Sequence, residues 1–179
     1  VQPEGRCFPV HKCILAAQSE VLATMFNHGE MMETNQQKLI IEDFPACAVH
    51  SFLAYVYTGC CDPTELEEKA EDLMGLAEKY GLAHLKATCE DHLINQVELA
   101  TVCQLIALAD LYLAQNLKQA CTSFVCHHKT EVMASRGWAE LKQRNSALVN
   151  EILELIVRSG DAAMVHSTPP PSKKCRQAN

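Results

Sequence analysis

The chain has 179 residues, 48% apolar and 21% charged, and its 22 acidic and 15 basic side chains give a formal net charge of −7 at pH 7. So apolar a composition with so modest a charge density excludes disorder throughout, and the length suffices for one large or two small domains that each bury roughly two thirds of their unfolded surface. No run approaches the roughly 20 uncharged apolar residues of a membrane helix, and the acidic excess makes nucleic acid a poor partner, because phosphate contact wants a basic face.

The chain opens on Val1 with no charged-then-apolar leader, so a fragment or processed piece is expected. Residues 6–10 suggest a short strand that Pro9 confines to an edge or an end. Ile14, Leu15, Val21, Leu22, Met25 and Phe26 recur at helical spacing, with Ser19 as an N-cap between two short helices. Residues 38–42 form a compact apolar run between polar residues and are expected as a strand. Asp43 and Pro45 then open a helix with Val49, Phe52, Leu53, Val56 and Tyr57 on one stripe, and Gly59 supplies a left-handed stop.

Thr64 with Glu67 three residues on fits a capping box. The helix it starts carries Leu66, Ala70, Leu73, Met74, Ala77 and Tyr80 and ends at Gly81. Helices are expected at about 83–96, 97–113, 115–128 and 147–158, the last closed by Gly160. The tail from Thr168, with three prolines and then Lys173, Lys174 and Arg176, cannot build a core and is expected to be disordered.

One internal echo stands out. Leu76, Ala77, Tyr80, Leu85, Lys86 and Cys89 recur 32 residues later as Leu108, Ala109, Tyr112, Leu117, Lys118 and Cys121. Six identities in phase point to two consecutive helical hairpins with the same packing logic, too few copies for a solenoid.

The sequence carries little sign of catalytic chemistry. The 7 glycines form no phosphate cradle, and neither G-x-S-x-G nor H-E-x-x-H occurs, so nucleotide binding and the common hydrolases are unsupported. The nearest approach to a zinc site is Cys121, Cys126, His127 and His128 with Cys89 and His92, donors more simply read as core thiols and wet-face histidines. His11-Lys12 lacks an evident carboxylate partner. Glu65, Glu67, Glu68, Glu71 and Asp72 read as a solvated helix N-terminal half where the dipole favours them, and Trp138 reads as a plug between helices. No catalytic residue, metal or cofactor is expected. The 10 cysteines lie mostly among Leu, Ala and Val with no C-x-x-C, so they read as small hydrophobes in a reducing, intracellular compartment.

Phe8-Pro9-Val10-His11-Lys12-Cys13-Ile14-Leu15-Ala16-Ala17-Gln18-Ser19, then Met25-Phe26, then Tyr55-Val56-Tyr57-Thr58-Gly59, resembles the BTB/POZ signature of strand, H-K-x-x-L-A-A-x-S, M-F and Y-T-G. Residues 77–82, Cys89-Glu90-Asp91, residues 108–111 and Gly137-Trp138 are similar to the speckle-type POZ protein group, in which a shortened BACK-like helical region follows the BTB domain. The fold this implies is α+β: a BTB/POZ domain over 1–96 whose first strand lies before Val1, a BACK-like extension over 97–160 and a disordered tail over 161–179.

The function the resemblance implies is that of a substrate adaptor, which dimerises and binds the N-terminal part of cullin-3 so that a ubiquitin ligase assembles around a target. Met31-Met32-Glu33 falls at the family's φ-x-E cullin contact, with Gly29 as an extra residue in the approach. A loop-borne methionine can fill an irregular apolar pocket while the acid sits at a polar rim. The helical pair over 97–124 lies where supporting cullin contacts sit, and Ile14 carries over from the dimer-facing set. Substrates would be held by a module upstream of Val1, such as a MATH domain. The competing reading is a BTB dimerisation scaffold in transcriptional regulation without cullin contact. The basic tail fits a nuclear-import signal, so nucleus, cytoplasm or both are expected.

Overall fold

The computed structural model describes residues 1–3, 6–27 and 39–164. Ile40 and Ile41 point to opposite sides, 48% and 0% exposed, and pair in parallel with the start of the chain. The result is a two-stranded sheet of β1 (Gln2–Pro3) and β2 (Ile40–Ile41), in register Gln2 to Ile40 and Pro3 to Ile41. Residues 6–10, expected as a strand, stay outside this sheet. Val1 and Phe8 exchange two backbone bonds of 2.7 and 2.9 Å, and Pro9, lacking an N–H, cannot extend the pairing.

Two short helices follow, α1 (Lys12–Gln18) and α2 (Glu20–Asn27), divided at Ser19 as the sequence suggests. Its hydroxyl accepts the Leu22 N–H at 3.1 Å and donates to the Tyr80 carbonyl at 2.6 Å, so one buried side chain caps α2 and ties it to a distant helix end. Helix α3 (Ala46–Thr58) starts after Pro45 and stops at Gly59, whose φ of 72° no side chain would favour. It buries Val49, Phe52, Leu53 and Val56. Tyr57, expected on the same stripe, is instead 42% exposed, because its hydroxyl reaches His11.

Helix α4 (Pro63–Lys79) is capped by Asp62, two residues before the expected Thr64. Pro63 suits the first helical position, and the Asp62 carboxylate accepts both the Thr64 N–H at 2.9 Å and its hydroxyl at 2.6 Å, which holds that carboxyl below its usual range. The turn into α5 (Ala83–Ile94) is a Schellman motif. Leu82 N–H bonds Ala77 O at 2.8 Å, Gly81 N–H bonds Glu78 O at 3.3 Å, and Gly81 sits at φ 67°.

The sequence echo is a structural repeat. Helices α6 (Val102–Leu111) and α7 (Gln115–His127) turn through the same motif, with Ala114 N–H on Ala109 O at 2.8 Å and Leu113 N–H on Asp110 O at 3.5 Å. Leu113 replaces Gly81 and is held at φ 53°. The ion pair repeats as well: Lys86 meets Glu78 at 2.6 Å and Lys118 meets Asp110 at 2.8 Å. Leu85, Leu117, Cys89 and Cys121 are all fully buried. Helix α6 starts later than expected because Thr101 closes a turn, donating to Gln96 O at 2.7 Å and accepting from Glu98 N–H at 3.0 Å.

Two helices that the sequence reading did not anticipate, α8 (Lys129–Ala134) and α9 (Arg136–Arg144), precede α10 (Ser146–Met164). Ser135 caps α9 by accepting the Trp138 N–H at 3.2 Å, and Asn145 caps α10 by accepting the Leu148 N–H at 3.0 Å. Trp138 is buried in the helical seam, as expected. Gly137 lets α9 approach α6 closely: a Cβ there would stand 3.1 Å from the Cys103 Cβ. Helix α10 runs through Gly160, which was expected to close it. An interior glycine costs about 1 kcal/mol without breaking a helix. One apolar core runs from Val1 through Phe52, Leu76, Leu117 and Trp138 to Ile156.

Candidate functional site

The blocks of the sequence signature meet in space. His11, at the start of α1, donates its backbone N–H to the Tyr57 hydroxyl at 2.8 Å, and its Nδ1 lies 3.0 Å from the same oxygen. Phe8 packs a tilted ring 5.8 Å from His50. Lys12 sits 5.4 Å from the centre of the Phe26 ring, a cation–π contact worth about 0.5–1 kcal/mol at an exposed site, which braces the end of α2 against the start of α1. The H-K, M-F and Y-T-G elements are thus one corner, built from α1, α2 and α3.

That corner sets the stem of the segment between α2 and β2. Leu22 in α2 is fully buried and Leu39, just before β2, is 5% exposed, so apolar packing anchors both flanks. Met31, Met32 and Glu33, and Gly29 before them, lie outside the described residues. Ile14 on α1 is half-buried at the rim of the core.

The candidate metal donors are engaged elsewhere. Cys89 and Cys121 face the core, and burial pushes both thiols up to about 12. The His127 Nδ1 lies 2.7 Å from Ser123 O, and the His128 ring stacks on Phe124 at 4.5 Å. Among the described residues no group of three or more His, Cys, Asp or Glu is placed to hold a metal ion, and no helix is long and apolar enough to cross a membrane. The expectation that the cysteines sit in the core needs correcting. Cys7, Cys13, Cys47 and Cys60 are exposed, because apolar neighbours in sequence do not fix which face of a helix or turn a thiol takes.

Sequence reasoning missed what Gly75 and Glu90 do in the fold. A Cβ on Gly75 of α4 would stand 2.7 Å from both the Phe44 ring and the Tyr112 ring, so glycine is what admits that close approach. Glu90 on α5 is only 6% exposed, and its Oε2 accepts the N–H groups of Asn116 and Leu117 at 3.1 and 3.3 Å. Neither role has a local sequence signal, since both partners lie more than twenty residues away.

Residues 1–97 match the BTB/POZ domain, and residues 101–153 match the BPM/SPOP BACK domain. The chain belongs to the BTB/POZ family. Its BTB domain runs into a BACK domain of the speckle-type kind, as the resemblance implied. The chain is similar to three proteins of Caenorhabditis elegans. It is 33% identical over 97% of its length to BTB and MATH domain-containing protein 40, and 29% identical over 92% to BTB and MATH domain-containing protein 42. To Protein maternal effect lethal 26 it is 26% identical over 93%. The chain spans 42% of the length of each of these relatives.

Proposed function

We propose that this BTB–BACK chain is the non-catalytic adaptor part of a cullin-3 ubiquitin ligase, binding cullin-3 through Met31-Met32-Glu33 and pairing with a second copy of itself near Ile14. The observation that carries this reading is the consecutive match to the BTB/POZ domain and the BPM/SPOP BACK domain over 1–97 and 101–153. The geometry supports it in two ways. The residues that flank the methionine segment on either side, Leu22 and Leu39, are buried in the core, so its ends are fixed relative to the rest of the BTB domain. Leu111, 69% exposed, edges a cleft of about 460 Å³ between α6 and α9 and offers apolar surface to the same partner.

Substrate choice belongs to another part of the protein in this proposal. Two of the relatives are named as BTB and MATH proteins, and a MATH segment upstream of Val1 is the module proposed to hold targets. Localisation in the nucleus, the cytoplasm or both is proposed from the basic residues Lys173, Lys174 and Arg176, which lie outside the described residues.

The test is co-elution of the full-length protein with the cullin-3 N-terminal region. Wild type is expected to form a complex, and Met31→Asp to abolish it while circular dichroism and melting stay unchanged. Undiminished binding by that variant would remove the segment from the contact. A stable dimer that ignores cullin-3 would favour the dimerisation scaffold instead.

A further inference from the structure

We infer that the BTB–BACK junction is a rigid clamp rather than a joint, so that the two domains form one cooperative folding unit with a fixed mutual orientation. The N-cap position of α7 is Ala114, a residue with no side chain able to satisfy the first free N–H groups. The cap comes from the other domain. Glu90 of α5 accepts from Asn116 and Leu117, the second and third positions of α7, with its carboxylate out of water. Separating the domains would break both bonds and leave the first turn of α7 without its cap.

Three further features cross the same boundary. Lys86, already paired with Glu78 at 2.6 Å, donates to the Leu113 carbonyl at 3.1 Å and so ties the first hairpin to the left-handed turn of the second. Tyr112 and Phe44 close over Gly75 at a distance that no larger residue at that position would permit. The apolar core passes through the boundary without a break, with Leu85, Cys89 and Leu93 of α5 and Leu117 and Cys121 of α7 in one cluster. The covalent link between the domains is the largely exposed turn over 95–101, and these contacts bypass it. The clamp stands whether or not cullin-3 is the partner.

The test is denaturant unfolding of the 179-residue chain, followed by fluorescence of Trp138, its sole tryptophan and a reporter for the BACK domain, and by far-ultraviolet circular dichroism of all helices. The two curves are expected to coincide, and hydrogen exchange to place the core amides of α4, α5, α6 and α7 in one protection class. Glu90→Ala is expected to lower the melting midpoint by roughly 3–6 °C for both probes together, and Glu90→Gln, which keeps one acceptor oxygen, by less. Separate transitions in the wild type would overturn the inference. So would a Glu90→Ala protein in which α6–α9 lose protection while α3–α5 keep theirs. If Glu90→Ala fails to fold, the wild-type curves and Glu90→Gln decide.

Discussion

Leu113 stands where the repeat wants glycine. At φ 53° its Cβ crowds its own backbone, and its side chain is 62% exposed, so little apolar burial offsets the strain. Leu113→Gly is therefore expected to stabilise the chain by about 1 kcal/mol, and Gly81→Ala to destabilise it by about the same, read as opposite shifts of the urea midpoint at unchanged slope. Gly75→Ala should cost more, about 1–3 kcal/mol, because the added methyl meets two rings rather than open space. At this scale Ser19, Gly59 and Gly81 were legible because caps and left-handed stops depend on adjacent residues. Thr64 was misread, since Asp62 and Pro63 make the stronger local pair. Tyr57 was misread because helical periodicity does not register a hydroxyl whose partner, His11, lies 46 residues away. The thiols also separate by environment. Alkylation of the native chain at neutral pH is expected to label Cys7, Cys13, Cys47 and Cys60 and to spare Cys89 and Cys121, which peptide mass mapping would check.

At the scale of elements, the 32-residue echo carried most information, because its identities are the residues that make a hairpin of this kind: core leucines and cysteines, a lysine on the preceding helix's acid, and a tyrosine at the helix end. The lysines test it. Lys86→Met removes both the Glu78 pair and the bond to Leu113 O, whereas Lys118→Met removes Asp110 and Glu151, the latter pair more exposed. Each is expected to cost roughly 1 kcal/mol, with the Lys86 loss the larger because it also removes a contact between the two domains, measured by chemical denaturation. Helix α9 escaped notice because Gly137, taken locally, weakens a helix, while its actual role is to admit Cys103 of α6. The strands were legible only in part. Two-residue pairings are decided by which segment docks alongside, so the hydrophobic run at 38–42 showed a strand but not that its partner is Gln2–Pro3.

The whole molecule should lose stability in alkali. Cys89 and Cys121 keep their protons to about pH 12 in the folded chain, whereas an unfolded cysteine gives its proton up near 9. Above pH 9 the unfolded state binds fewer protons than the folded one, so unfolding free energy falls as pH rises and is undiminished by these groups below that range. Melting followed from pH 8 to 11 is expected to show this decline, and Cys89→Ala with Cys121→Ala to flatten it from a lower starting stability. At this scale the BTB–BACK order was legible because its motif blocks are long and ordered, and the structure brings the BTB blocks together at His11 and Tyr57. The candidate contact at Met31-Met32-Glu33 rests on its place in that order. The most direct measurement is a calorimetric titration of the folded full-length protein with the cullin-3 N-terminal region. The adaptor reading predicts saturable one-to-one binding that Met31→Asp removes, and a flat titration with correctly folded protein would contradict it.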